Sequence, residues 1–385
     1  MDFNFKEEQL QLADAIKRWI ARDYGFEARR GIVGSETGTS ERAWATLAEL
    51  GLTALPVPEE QGGFAGDAVD MFVVMQELGR GLVAEPYFAT VLGAEFLRLG
   101  GSHGDLLEAV ATGELKLACA LGERQSRHDM RDIATRAERM DTSGAEGWRL
   151  SGEKKVVLYG AQAGVLIVSA RSEGAQRDEG GITLFAVPAG APGVRVLGYR
   201  MLDGQRGADV HLDGVQVGPD AVIGRPGAGW EILEAALDYG AGLLCAEAVG
   251  AMDALFAATL EYLKTRQQFG VPIGKFQALQ HRMADMYIHL EQARSMALLA
   301  AVRLAGNDAG ERRRAVSAAK YRVGQAARFV GQQAVQLHGG MGVTDELPAA
   351  HYFKRLSTIE LTLGDADHHL ARFIAQPGFR AQEAA

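Results

Sequence analysis

Cysteine is nearly absent from this chain: Cys119 and Cys245 are the only two in 385 residues. Two thiols cannot build a disulfide framework, which points to a reducing compartment. Net positive charge is missing too. The formal charge of −9 repels a phosphate backbone, and Arg312-Arg313-Arg314 is too short a basic run to reverse that, so nucleic acid is not an expected partner. No uninterrupted apolar run is long enough to span a bilayer, and Asp2, Lys6, Glu7 and Glu8 occupy the stretch where a signal peptide needs an apolar core. A cytoplasmic chain without membrane insertion is expected. Also lacking are a His-x-x-x-His metal spacing and a fixed-period repeat.

What is present suits a globular protein. A content of 47% hydrophobic and 23% charged residues argues against disorder, and 385 residues suffice for two or three packed units. The first third reads as helical: Leu12, Ile16, Trp19 and Ile20 fall on one helical face, Gly51 stops a second helix, and Met71 to Leu97 is helical with a break at Pro86. From Leu115 the period drops to two. Leu115, Leu117, Cys119 and Leu121 alternate with Lys116, Ala118 and Ala120, as a half-buried strand requires. Short strands follow at Trp148 to Leu150, Lys155 to Leu158, Val165 to Ala170, Ile182 to Val187, Val194 to Tyr199 and Val210 to Val217.

No helical pattern separates these strands, which favours an antiparallel sandwich or barrel over a doubly wound sheet. Helices return from about Trp230. Leu279, Met283, Met286, Leu290, Ala293 and Ala297 recur at steps of four and three, as do Val316, Ala319, Val323, Ala326 and Val330. Gly306-Asn307-Asp308 turns one of these helices back on the other, as in a bundle. The expected architecture is α+β, with an N-terminal helical domain (1–114), a central antiparallel β-sandwich or barrel domain (115–225) and a C-terminal four-helix-bundle domain (226–385).

Two segments concentrate unusual chemistry. Tyr262 to Gln277 ends one long helix and opens the next; in it Arg266 offers a planar fork suited to a pyrophosphate, Phe269 an aromatic face and Gly270 a close approach of backbone to a ligand. Standing alone, it reads as an ordinary Gly-Pro helix connection. Gln336-Leu337-His338-Gly339-Gly340-Met341-Gly342 places glycines where successive N–H groups can converge on an anion, although a glycine helix stop is the commoner explanation.

The order helical unit, β unit, helical bundle, with an R-x-x-F-G loop and then Q-x-x-G-G-x-G, resembles the acyl-CoA dehydrogenases across nearly the whole chain. The resemblance implies FAD as cofactor. It implies that Arg266, Phe269, Gln277, Gln336, Gly339 and Gly340 hold the adenosine and pyrophosphate arm across a subunit interface; His338 belongs with them through its loop, or serves as an interface residue. It also implies α,β-dehydrogenation of an acyl-CoA thioester, in which a carboxylate takes the α-proton while a hydride leaves the β-carbon for flavin N5. A G-x-G-x-x-G fingerprint is then not needed, because this family does not hold FAD on a Rossmann unit.

Other positions of the family pattern stand empty. Counting without gaps, the usual base position is Leu363, in Leu363-Gly364-Asp365, and the alternative base position of a smaller branch is Gly240. The arginine expected near the thioester is Ala241, although Asp238 is retained. Gly122-Glu-Arg-Gln-Ser126 and Val156-Val157-Leu158 stand where the family carries a T-E-P-G-A-G-S-D-like loop and a W-I-T strand against the flavin ring.

A tail site beside a degraded ring site is similar to the small subunit of pimeloyl-CoA dehydrogenase and to base-lacking subunits of steroid-degrading heteromers. That likeness implies no catalytic residue in this chain and a larger partner subunit, two copies of each forming a heterotetramer. An acyl-CoA substrate and an electron-transfer flavoprotein or similar acceptor complete the expected partners. Two alternatives remain: a self-sufficient homo-oligomer with a relocated base such as Glu360, or a redox-silent acyl-CoA-binding or assembly protein.

Asp365, Asp367, His368 and His369 are not expected to bind a metal, because adjacent histidines point to different helix faces; an aspartate capping the last helix is the preferred reading. Cys245, in Leu243-Leu244-Cys245-Ala246, reads as a small buried hydrophobe.

Overall fold

A computed structural model describes residues 5–142 and 145–377. Six helices come first: α1 (Glu7–Asp23), α2 (Phe26–Gly34), α3 (Glu41–Glu49), α4 (Ala68–Arg80), α5 (Tyr87–Gly100) and α6 (Gly104–Ala111). Their starts follow from capping chemistry. Ser40 Oγ accepts the Ala43 N–H, and Asp67 and Asp70 cap each other's backbone at the start of α4. The helical run expected from Met71 to Leu97 breaks earlier than Pro86: α4 ends at Arg80 with Gly81 as its cap, and Pro86 stands at the start of α5, where a missing N–H costs nothing. The short α2 is an addition to the sequence pattern, which did not separate it from α1.

Eight strands follow: β1 (Leu117–Ala120), β2 (Arg136–Thr142), β3 (Ala145–Leu158), β4 (Val165–Arg171), β5 (Ile182–Pro188), β6 (Val194–Arg200), β7 (Arg206–Val217) and β8 (Val222–Ile223). Then come α7 (Trp230–Thr265), the two-residue strands β9 (Gln267–Gln268) and β10 (Val271–Pro272), α8 (Gln277–Leu304), α9 (Ala309–His338), α10 (Pro348–Leu361) and α11 (Ala366–Ile374).

The chain divides into two compact units, each built from segments that alternate along the sequence. One comprises residues 32–66 and 84–239, the other residues 1–31, 67–83 and 240–385.

The first unit holds the sheet, in the order β6-β7-β3-β2-β4-β5-β8 with β1 beside β4. Most neighbours are antiparallel: β2 with β3, β4 with β5 and β6 with β7 through short connections, and β3 with β7 across the intervening strands. The exceptions are β1 on β4 and the end of β2 on β4, which run parallel because the β2–β3 excursion intervenes. Inward-facing Leu150, Val157, Leu166, Val168, Phe185, Val210 and Val215 form the core, with Trp148 edge-on to Phe185 at 5.6 Å.

The second unit is helical. Met283, Met286, Leu290, Ala293 and Ala297 of α8 and Val316, Ala319, Val323, Ala326 and Val330 of α9 are all buried, so the periodic seams face the core. Asp308 caps α9 by accepting the Glu311 N–H, which sets the antiparallel return. Among the described residues, α7 is the one helix long and apolar enough to cross a bilayer, but 67% of that apolar stretch is buried, as in a core helix.

Candidate functional site

The R-x-x-F-G segment is a β-hairpin in miniature. Gln268 pairs with Val271 and Gln267 with Pro272, leaving Phe269 and Gly270 as a two-residue turn with φ of 53° and 76°. Positive φ at both central residues is what the favoured tight hairpin turn needs; glycine meets it freely, whereas a phenylalanine there costs about 1 kcal/mol. The turn thrusts the Phe269 ring outward, 90% exposed, with its centroid 6.0 Å from that of the edge-on Phe276 ring. Arg266 and Gln277 are exposed on either side, and the Arg266 guanidinium has no hydrogen-bond or ion-pair partner among the described residues. A strained, exposed aromatic beside an unengaged arginine is poor folding chemistry and good ligand chemistry.

The second loop lies against the first. Tyr262, at the end of α7, stacks on His338, at the end of α9, with ring centres 4.4 Å apart, and the Tyr262 hydroxyl donates to the His338 carbonyl at 3.4 Å. Gln336, Gly339 and Gly340 are exposed, and Gly339 takes φ 61°. His338 itself is buried. Its Nδ1 lies 2.8 Å from the Ala334 carbonyl, which can only accept, so Nδ1 carries the proton. Burial pushes the imidazole below the ordinary histidine range, against the pull of that carbonyl, so it is neutral at physiological pH. Of the seven residues singled out for the cofactor tail, six are presented to solvent and His338 joins the loops from beneath. Tyr262, to which the sequence attached no role, is the other half of that joint.

Neither base position carries a carboxylate. Leu363 sits past the end of α10 with φ 57°, and Gly240 is buried within α7 beside Ala241 and Asp238. Glu360, three residues before position 363, is 6% exposed and engaged: its Oε1 accepts from Arg328 Nη2 at 3.0 Å and from the Ala366 N–H at 3.3 Å. Asp365 caps α11 by accepting the His368 N–H at 2.8 Å, as the helix-cap reading expects. Cys245 is fully buried, and burial pushes its thiol up to about 12, which leaves it unreactive.

In the β unit, the segments that stand for the ring-contacting loop and strand are tied to each other. Lys154 of β3, 0% exposed, donates to Glu123 Oε1 at 2.7 Å, to the Leu121 carbonyl at 3.2 Å and to Ser169 Oγ at 3.1 Å. Glu123 also accepts the N–H groups of Ala134 and Thr135 at 2.8 and 3.1 Å, and Ser126 Oγ donates to the Glu123 carbonyl at 2.9 Å. Glu123 of the loop is thus satisfied by β3 and by the backbone at 134 and 135. Beside it β3 slips register between Lys154 and Val157, and the bulge leaves Val156 56% exposed at φ 54°, a severe outlier for a β-branched residue.

Comparison with known proteins gives one answer along the chain. Sequence models of the acyl-CoA dehydrogenase N-terminal, middle and C-terminal domains match residues 6–114, 118–215 and 227–376. The acyl-CoA dehydrogenase FadE12 of Mycobacterium tuberculosis is 30% identical over 351 residues, 89% of each chain. Among solved structures, the ChsE4-ChsE5 complex from Mycobacterium tuberculosis superposes with a TM-score of 0.86 at 27% identity, covering 97% of both chains. The FAD complex of PigA superposes with a TM-score of 0.88 at 25% identity, covering 99% of this chain and 100% of the other.

Proposed function

Because this chain belongs to the acyl-CoA dehydrogenase family, whose members bind FAD, we propose that it is the base-lacking subunit of a heteromeric enzyme and grips the flavin by its nucleotide end. The observation that carries this reading is the contrast within one chain. The hairpin at 266–270 and the turn at 336–340 are joined through Tyr262 and His338 and present unengaged groups, whereas positions 240 and 363 offer no proton acceptor.

The tail residues fit the cofactor's nucleotide arm. Arg266 supplies a fork of N–H donors for the pyrophosphate, Phe269 a face for an aromatic or sugar surface, and Gln277 and Gln336 adaptable amides at the rim. Bound FAD supplies the hydride acceptor for α,β-dehydrogenation. This chain's part is to fix the arm and exclude water from it. The carboxylate that takes the α-proton then belongs to a larger partner subunit, as does the pocket for the ring and thioester. The ChsE4-ChsE5 neighbour, a complex of two named proteins, supports a two-subunit arrangement. An electron-transfer flavoprotein or similar carrier is the fitting electron acceptor for such an enzyme.

The test is expression with and without the cognate larger subunit, read by visible spectrum and by acyl-CoA oxidation with an artificial acceptor. The chain alone should purify colourless and inactive, and the co-purified complex yellow and active. A yellow, fully active homo-oligomer of this chain would overturn the proposal, and a complex without flavin would place the chain among redox-silent assembly proteins. Glu360→Gln separates the relocated-base alternative. In the complex it should leave turnover unchanged and cost about 1 kcal/mol of stability in denaturant melts, because a neutral amide binds Arg328 and the α11 N-terminus less strongly. Loss of turnover with flavin retained would instead make Glu360 the base.

A further inference from the structure

Lys320 lies within α9, 1% exposed. Its ammonium donates to three carbonyls, those of Ile359 at 2.9 Å, Glu360 at 3.0 Å and Gly364 at 2.8 Å. The first two belong to the last turn of α10, where the Ile359 carbonyl also accepts the capping Thr362 N–H at 3.3 Å; the third lies in the turn that leads to α11. On the other side of that turn His369, 3% exposed, lies with Nε2 3.0 Å from the Leu363 carbonyl. The carbonyl can only accept, so Nε2 carries the proton and Nδ1 is bare, which agrees with Nδ1 being buried and without a partner among the described residues. Burial, reinforced by the neighbouring Lys320 ammonium, pushes His369 down to about 2 and keeps it neutral.

Between these two side chains the backbone is unusual. Leu363 takes φ 57° and Gly364 φ 108°. Glycine is required at 364 twice over, by that φ and because a Cβ there would meet the rings of His368 and His369 at 2.6 and 2.7 Å. Leucine at 363 has no such freedom and no polar atom to hold a turn, so the conformation must be imposed by its surroundings. The bonds on the 363 and 364 carbonyls are the means present.

We propose that Lys320 and His369 are positioning residues for position 363: by holding the carbonyls of Leu363 and Gly364 they impose the left-handed backbone there. The chain therefore keeps a rigid seat at this position and lacks only the carboxylate. That position 363 is the family's base site rests on the reading above; the clamp itself does not, and its test uses neither flavin nor partner.

The experiment is a thermodynamic cycle on the full-length chain, read by denaturant unfolding. Leu363→Ala and Leu363→Gly are compared in the wild-type background and together with Lys320→Met. Glycine accepts a left-handed φ and alanine resists it, so with the clamp intact Leu363→Gly should exceed Leu363→Ala by roughly fivefold in the folding equilibrium constant. With Lys320→Met the turn is free to relax and that preference should disappear. If Lys320→Met does not fold, His369→Phe removes the other bond and serves in its place. An equal preference in both backgrounds, or none in wild type, overturns the proposal, and a purely structural lysine would lower the stability of both variants without changing the difference between them.

Discussion

Arg266→Ala, introduced into the assembled complex, should weaken FAD binding by about 10- to 100-fold while leaving the melting temperature of the flavin-free protein unchanged. The magnitude is that of a charge-assisted, bidentate hydrogen bond to an anion, about 1.5–3 kcal/mol. The specificity comes from the structure. Arg266 is exposed and its guanidinium has no partner among the described residues, so its removal takes nothing from the fold. Phe269→Ala should act in the same direction and more weakly, since a stacked aromatic is worth about 0.5–1.5 kcal/mol. Unlike Arg266→Ala, it should stay insensitive to salt, because it removes no charge. The measurement is titration of the apo-complex with FAD, followed by flavin fluorescence at low and high salt. Unaltered affinity in both variants would mean that the hairpin serves another purpose. Lost affinity together with a lowered melting temperature would mean that the hairpin supports the fold and has not been isolated as a binding element.

Why some of this was readable in the sequence and some was not follows from the physics of each element. The α8 and α9 seams were legible because buried apolar residues recur with the helical period and nothing interrupts them. Strands β4 and β5 were legible as short apolar runs bounded by turn residues, since both of their faces are buried, and β7 by the alternation of Val210 and Leu212 with polar neighbours. β2 was not, because Arg136, Glu138 and Arg139 crowd a strand that buries Ala137. Trp148 to Leu150 and Lys155 to Leu158 read as two strands, yet β3 runs through both. The gap is a bulge at Gly152, with φ 156° and a register slip, not a turn.

In the candidate site the glycine of Phe269-Gly270 announced a turn, but only the hairpin pairing reveals that the phenylalanine itself is left-handed. Lys320 shows a different limit. It lies four residues after Val316 and one after Ala319, on the buried face by helical geometry, and only its charge argues against burial there. Lys154 was hidden more thoroughly. Glu153-Lys154-Lys155 looks like an exposed charge run, and its partner Glu123 is far away in sequence on a loop.

That hidden pair yields the other large effect. Lys154→Met should destabilise the chain by about 3–5 kcal/mol at pH 7, the usual consequence of removing one member of a buried ion pair and leaving the other charged. Both side chains are nearly inaccessible, at 0% and 4% exposure, so solvent cannot compensate. Burial disfavours the Glu123 carboxylate, but the Lys154 ammonium and the surrounding hydrogen bonds outweigh it and hold the acid below its ordinary value of 4.5. In the wild type this contribution is therefore complete above that ordinary value and is lost as pH falls through the lower folded value. In Lys154→Met the balance tips toward burial, the folded carboxyl titrates above 4.5, and the penalty grows as pH rises through that window.

The stability gap between variant and wild type should consequently be wider at pH 7 than at pH 5, and Glu123→Gln added to Lys154→Met should close most of it. Denaturant melts of the three proteins at the two pH values decide the matter; a gap under about 1 kcal/mol, or one indifferent to pH, would rule out a charged pair. The functional point lies in what the pair ties together. Glu123 anchors the loop and Lys154 the bulged strand, the two segments that depart from the pattern expected against a flavin ring, and their polar atoms are used on each other, on Leu121 and Ser169, and on the N–H groups of Ala134 and Thr135. A segment satisfied in this way needs no cofactor ring to complete it, whereas the hairpin at 266–270 leaves its arginine and phenylalanine unspent.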